Sequence, residues 1–112
     1  MRIGELARRA HVSVRALRYY EEQGLLASRR SPSGQRHYAE PAVDRVQLIR
    51  HLYAAGLTSR TIAGLLPCVD ARVSTPESRA RLAAERDRID AQIAGLTQAR
   101  NRLDALAAVP ES

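Results

Sequence analysis

The chain has 112 residues, enough for one domain or one domain with an appended helix. Its net charge is +6 and every one of its 18 basic side chains other than histidine is arginine. No run of about 18 apolar residues occurs and Met-Arg-Ile-Gly-Glu-Leu is no signal-peptide core, so neither a membrane span nor a leader is expected and the cytoplasm is the default compartment.

The charge is localised. Residues 1–38 hold eight Arg against three acids, residues 39–75 four against three, and residues 76–112 six against six. A basic surplus in the first third favours a polyanionic partner, nucleic acid before an anionic membrane; the bland alternative is a solvated basic face. Cys68 is the single cysteine, so no intrachain disulfide can form and no cysteine pair can hold a metal within one protomer. Phe and Trp are absent. A small core of Leu, Ile, Val, Ala and some Tyr is marginal alone, and dimerisation would support it.

In chain order, Ile3, Leu6, Ala7 and Ala10 recur at helical spacing and predict a first helix over residues 3–10. His11-Val12 breaks it, and His tolerates left-handed backbone better than most residues. Ser13 is a good N-cap for a second helix from Val14 to about Gln23, with Gly24 as its stop. In "LLASRRSPSGQRHY" the Pro32-Ser33-Gly34 turn between short arginine-rich flanks predicts a small hairpin, or wing, with an irregular loop as the alternative. Pro41 fits the first position of a third helix, whose apolar face is Val43, Val46, Ile49 and Tyr53 and whose end is Gly56. Thr58 can cap a short fourth helix carrying Ile62, Leu65 and Leu66, with Pro67 expected to stop it. A linker over 68–74 follows. Thr75-Pro76 then opens a helix running to about Ala108, roughly 50 Å long at 1.5 Å per residue, with a frayed tail over 109–112.

That last helix places Leu82, Ile89, Leu96 and Leu103 at intervals of seven, a heptad row. Ile93, Ala99 and Leu106 form parts of a second row, interrupted by Glu85, Gln92 and Arg100. One good row with an imperfect companion suits an antiparallel coiled coil; a lone helix folded back on its own domain is the alternative. The expected dimerisation residues are Leu82, Ile89, Ile93, Leu96, Leu103 and Leu106.

Helix, four-residue turn, helix within residues 3–23 is the helix-turn-helix pattern. With Val14 and Leu17 turned inward, Arg15 and Arg18 lie together on the other side, three apart, flanked by Ser13 and Tyr19. A recognition helix enters a major groove in this way, and Arg is the commonest reader of guanine. Tyr20 is expected to face the core and Tyr19 to reach a phosphate. Arg29, Arg30 and Arg36 on the wing, with Tyr38, suit phosphate contacts, and His37 could touch one too.

"IGELARRAHVSVRALRYYEEQGLL", then "RRSPSGQRHY", then "LIRHLYAAGLTSRTIAGLL" together resemble the MerR family of bacterial transcription regulators, closely over residues 1–66. The resemblance implies a mainly α protein: a winged helix-turn-helix DNA-binding domain over residues 1–70 and a long C-terminal dimerisation helix, an antiparallel coiled coil, over 75–108. It implies a homodimer on a palindromic operator in promoter double-stranded DNA, which the protein distorts so that RNA polymerase can engage both promoter elements. Carried onto this chain, the DNA-binding positions are Ser13, Arg15, Arg18 and Tyr19 on the helix and Arg30, Gln35, Arg36 and Tyr38 on the wing. Gln35 departs from the tyrosine common there.

Family sensors usually add an effector region after the long helix, whereas "LAAVPES" follows it here. The expectation is a member without that region, with no metal and no cofactor. Cys68, after Pro67 at the junction, is a possible thiol sensor; the preferred reading is a small half-buried residue in a hinge. An effector-independent architectural or protein-interaction module is the rival function. An enzyme is not expected, because no Gly-rich phosphate loop and no Ser–His–Asp set is present.

Overall fold

A computed structural model of the chain describes residues 1–70 and 75–111. The chain divides into two units, residues 1–72 and 73–112. The element order is α1 Ile3–Ala10, α2 Val14–Glu22, β1 Arg29–Arg30, β2 Arg36–His37, α3 Ala42–Ala54, α4 Ser59–Asp70 and α5 Pro76–Ala107. It is the mainly α, winged helix-turn-helix architecture expected from the sequence, with one long C-terminal helix.

The first two helices are joined as their sequence requires. His11 closes α1 with φ 59° and ψ 42°, the left-handed conformation. The Val12 amide then donates to the Ala7 carbonyl at 3.1 Å. Ser13 caps α2, its hydroxyl accepting the Ala16 N–H at 3.0 Å. Leu6, Ala10 and Leu17 are fully buried where α1 meets α2, and small Ala7 lies beside them. α1 also packs on α3, and α3 on α4. Val46 and Ile49 of α3 and Ile62 of α4 complete the core with Leu25, the residue after Gly24.

The wing is an antiparallel pair, Arg29 opposite His37 and Arg30 opposite Arg36. Its turn is closed by the Gly34 amide on Ser31 O at 2.9 Å and the Ser31 amide on Gln35 O at 2.7 Å. Met1 and Tyr38 exchange backbone bonds of 2.7 and 2.8 Å, tying the end of β2 to the start of the chain.

Two boundaries differ from the sequence expectation. Pro41 sits one position before α3 instead of being its first residue. More important, α4 does not stop at Pro67. It continues through the proline to Asp70, so residues 68–70 are helix and not linker. Proline removes one backbone donor and strains the preceding turn. Here that turn is held from outside: Leu65 and Leu66 are buried, and Arg45 of α3 grips both Asp70 carboxylate oxygens. Residues 71–74 of the expected linker lie outside the described residues.

α5 has 32 residues. Thr75 caps it in a reciprocal pair: the Thr75 hydroxyl accepts the Ser78 amide at 3.1 Å and the Ser78 hydroxyl accepts the Thr75 amide at 3.0 Å. No α5 side chain is buried within the chain.

Candidate nucleic-acid interface

α2 and the wing carry the candidate residues. Leu17 and Tyr20 turn into the core, and the helical period therefore sends Arg15, Arg18 and Tyr19 outward. Ser13 is exposed at the N-terminus of the same helix, although its hydroxyl already caps it. Arg29 and Arg30 are exposed on β1. Among the described residues Arg15, Arg18 and Arg29 take part in no ion pair. Among the described residues the Arg30 side chain makes only a long bond to the Gly34 carbonyl, 3.4 Å.

The two adjacent tyrosines converge on a third. Tyr20 is buried and stacks on Tyr53 of α3, with centroids 5.6 Å apart and planes 18° from parallel. Tyr19 is 45% exposed and meets the same ring at 6.2 Å, tilted 48°. Ser59, the first residue of α4, lies 2.5 Å from the Tyr53 hydroxyl and 3.4 Å from the Tyr19 hydroxyl. Ser13, Arg15, Ala16 and the three tyrosines line a cleft of about 420 Å³. Burial, then the nearby Tyr53, raises the Tyr20 phenol above its ordinary value. Tyr53 and Ser59 were not candidates in the sequence, because what places them here is the packing of α3 and α4 on α2.

The wing residues divide. Arg36 is exposed but its guanidinium donates to Glu21 of α2 at 2.8 Å. Gln35 accepts a bond from Arg2. Tyr38 differs most from expectation: it is 2% exposed, and its hydroxyl donates to the other Glu21 oxygen. The structure therefore takes Tyr38 off the outer face of the wing. Its hydroxyl already has an acceptor and its ring fills the core. Burial first, and the bond to Glu21 second, push its pKa up to about 12. Glu21 entered the sequence reading only as one of three acids; no spacing rule links it to positions fifteen and seventeen residues later.

Elsewhere, Arg9 of α1 grips Glu40 through bonds of 2.8 and 2.7 Å, which raises the guanidinium pKa and lowers that of the carboxyl. Cys68 is half-buried in the last turns of α4. Among the described residues no three His, Cys, Asp or Glu side chains are grouped to hold a metal, and no helix is long and apolar enough to cross a membrane. On α5, Ile93, Leu96, Leu103 and Leu106 are more than half exposed, Leu82 is 43% exposed and Ile89 is intermediate.

Two crossed helices, an outward arginine pair and a small β wing define a winged helix-turn-helix protein. Residues 1–67 match the family described as MerR HTH family regulatory protein, and residues 43–106 match the one described as MerR, DNA binding. The chain belongs to the MerR family. It is 40% identical over 103 residues to the nodulation protein NolA of a Bradyrhizobium species, covering 91% of this chain and 41% of that one. Against the HTH-type transcriptional regulator ZntR of Escherichia coli it is 33% identical over 108 residues, covering 94% of this chain and 77% of that one. The chain spans about half or less of the length of several curated relatives it matches. A solved MerR family transcriptional regulator from Listeria monocytogenes superposes with a TM-score of 0.83 at 28% identity, covering 96% of this chain and 83% of that one.

Proposed function

We propose that this protein is a sequence-specific DNA-binding regulator of transcription that acts as a homodimer on an inverted repeat in a promoter and distorts the DNA it binds. One observation carries the reading. Arg15 and Arg18 stand exposed on the outer face of α2, without ion pairs among the described residues, beside a wing whose Arg29 and Arg30 are exposed too. Arginine on a recognition helix reads guanine O6 and N7 in a two-pronged contact, and arginines on the wing hold phosphates.

Arg15 and Arg18 are the base readers in this account. Ser13 and Tyr19 flank them, and Arg29, Arg30 and Arg36 supply the phosphate contacts. Gln35 is a weaker candidate because Arg2 occupies it, and Tyr38 is not in the set. α5 supplies the dimer contact through Leu82, Ile89, Ile93, Leu96, Leu103 and Leu106; all but the half-buried Ile89 are exposed, and such a row calls for a partner surface. A dimer with twofold symmetry matches an inverted repeat, and bending the DNA between half-sites is how such a protein reads bases that it does not touch. The family name and the regulators it resembles agree with a role in transcription.

The test is a pair of substitutions. Arg18→Ala relaxes base preference at one position of each half-site, losing about 1–3 kcal/mol of discrimination. Arg30→Ala weakens all sequences about equally and lowers the salt slope of binding by about one per protomer. Titrations of a preferred and a scrambled duplex at several salt concentrations separate the two. Identical behaviour of the variants would refute the division into readers and phosphate contacts.

A further inference from the structure

We infer that Glu21 is a positioning residue that sets specificity: by holding Arg36 of the wing against the end of α2, it fixes where the wing's cation stands relative to the base reader Arg18. The inference rests on the DNA-binding reading above.

Positions 36 and 38 are two apart in extended chain, so their side chains leave the strand on the same side. One carboxylate receives both. Arg36 donates to Glu21 Oε2 at 2.8 Å and the Tyr38 hydroxyl donates to Oε1. The Glu21 side chain is only 14% exposed, and buried Tyr38 fixes the carboxylate from below. Arg36 remains 46% exposed, and the bond to Glu21 uses one of its five N–H donors. The guanidinium is thus held at one edge with donors left over.

Arg18 lies one turn before Glu21 on the same face of α2. Arg18, Glu21, Glu22 and Arg36 line a groove of about 570 Å³ between helix and wing. Two arginines and two glutamates cancel in formal charge, so this groove is no simple sink for a polyanion. A carboxylate there repels phosphate. What it offers instead is order. A free arginine side chain loses rotamer entropy when it binds, and a pre-placed one gives up less.

Charge and geometry therefore predict opposite signs. If Glu21 acted only as a negative charge, neutralising it would tighten every DNA complex. If it positions Arg36 on a phosphate that only the register of the specific complex brings within reach, neutralising it weakens that complex alone. The probes are the duplex that wild-type protein enriches from random-sequence DNA and a scrambled duplex of equal length. Glu21→Gln keeps an acceptor for Tyr38 and loses the charged partner of Arg36. Glu21→Asp keeps the charge but is one methylene too short to serve both groups. Each is expected to weaken the enriched duplex by about fivefold, a modest ordering loss, with the scrambled duplex bound as in wild type or more tightly. In an Arg36→Ala background neither change has a further effect.

Equal or tighter binding of the enriched duplex by Glu21→Gln, with Glu21→Asp like wild type, would overturn the inference while leaving the DNA-binding reading intact. So would an equal loss on both duplexes, or the same loss without Arg36. Failure of the wild-type protein to enrich any sequence would remove the DNA-specific reading itself and this inference with it. Far-UV circular dichroism of each variant confirms the fold.

Discussion

The Tyr38 hydroxyl points inward at a carboxylate, and this makes the stability of the fold sensitive to base. Its pKa rises from 10.0 to about 12 because the phenol is buried and bonded to Glu21. The folded chain thus holds the proton more tightly than the unfolded chain does. The stability this contributes is complete below pH 10 and is lost as pH rises through about 12. Urea unfolding across that range should show a stability decline that Tyr38→Phe reduces; a profile unchanged by the substitution would contradict the assignment. At neutral pH the same substitution costs about 1–2 kcal/mol, since it leaves one carboxylate oxygen without its donor. The residue scale is also where sequence reading reached least far. Arg15 and Arg18 were legible because Leu17 and the helical period put them outside. Tyr38 was not, because a tyrosine at the end of a polar strand looks the same in sequence whether it faces solvent or a carboxylate from another element.

At the scale of elements, three helices stop in the same way. His11, Gly24 and Gly56 each take positive φ, at 59°, 73° and 86°. The next residue in each case is apolar, and its amide reaches back: Val12 to Ala7, Leu25 to Tyr20 and Leu57 to Leu52, at 3.1, 2.9 and 3.1 Å. Leu25 and Leu57 are also buried, the hydrophobic contact that accompanies such a stop. At His11 the left-handed conformation costs a non-glycine residue about 1 kcal/mol. His11→Gly should therefore raise the urea midpoint without changing the slope, and Gly24→Ala should lower it by a similar free energy. A Cβ at Gly24 meets nothing within 4 Å, so that loss is backbone strain alone. A lowered midpoint for His11→Gly would show that the imidazole has some other stabilising role.

Element boundaries were legible wherever one side chain makes the cap. Ser13, Thr58 and Thr75 each bond the amide three residues on, as their position before an apolar run predicts. The end of α4 was not legible. Pro67 is a local stop signal, and the clamp from Arg45 to Asp70 that carries the helix past it links residues 25 apart. Tertiary contact overrode local preference there.

On the scale of the whole molecule, α5 is the element that one chain leaves unsatisfied. Its Leu96, Leu103 and Leu106 are each about two-thirds exposed, on a helix with no buried side chain of its own. In the proposed homodimer a second α5 covers them. Leu96→Asp, in the middle of the heptad row, should convert the dimer to monomer in sedimentation equilibrium and weaken operator binding; an unchanged mass would remove the coiled coil from the account. The two units then have separate roles. In the proposed dimer the first supplies the DNA face and the second the dimer contact. The most direct measurement is a nuclease footprint of the purified protein on the DNA flanking its own gene, at physiological salt. The expected result is a protected inverted repeat with enhanced cleavage at its centre, where the proposed regulator distorts the duplex. Binding without a protected site, and with affinity indifferent to sequence, would contradict it and assign the protein to architectural DNA binding.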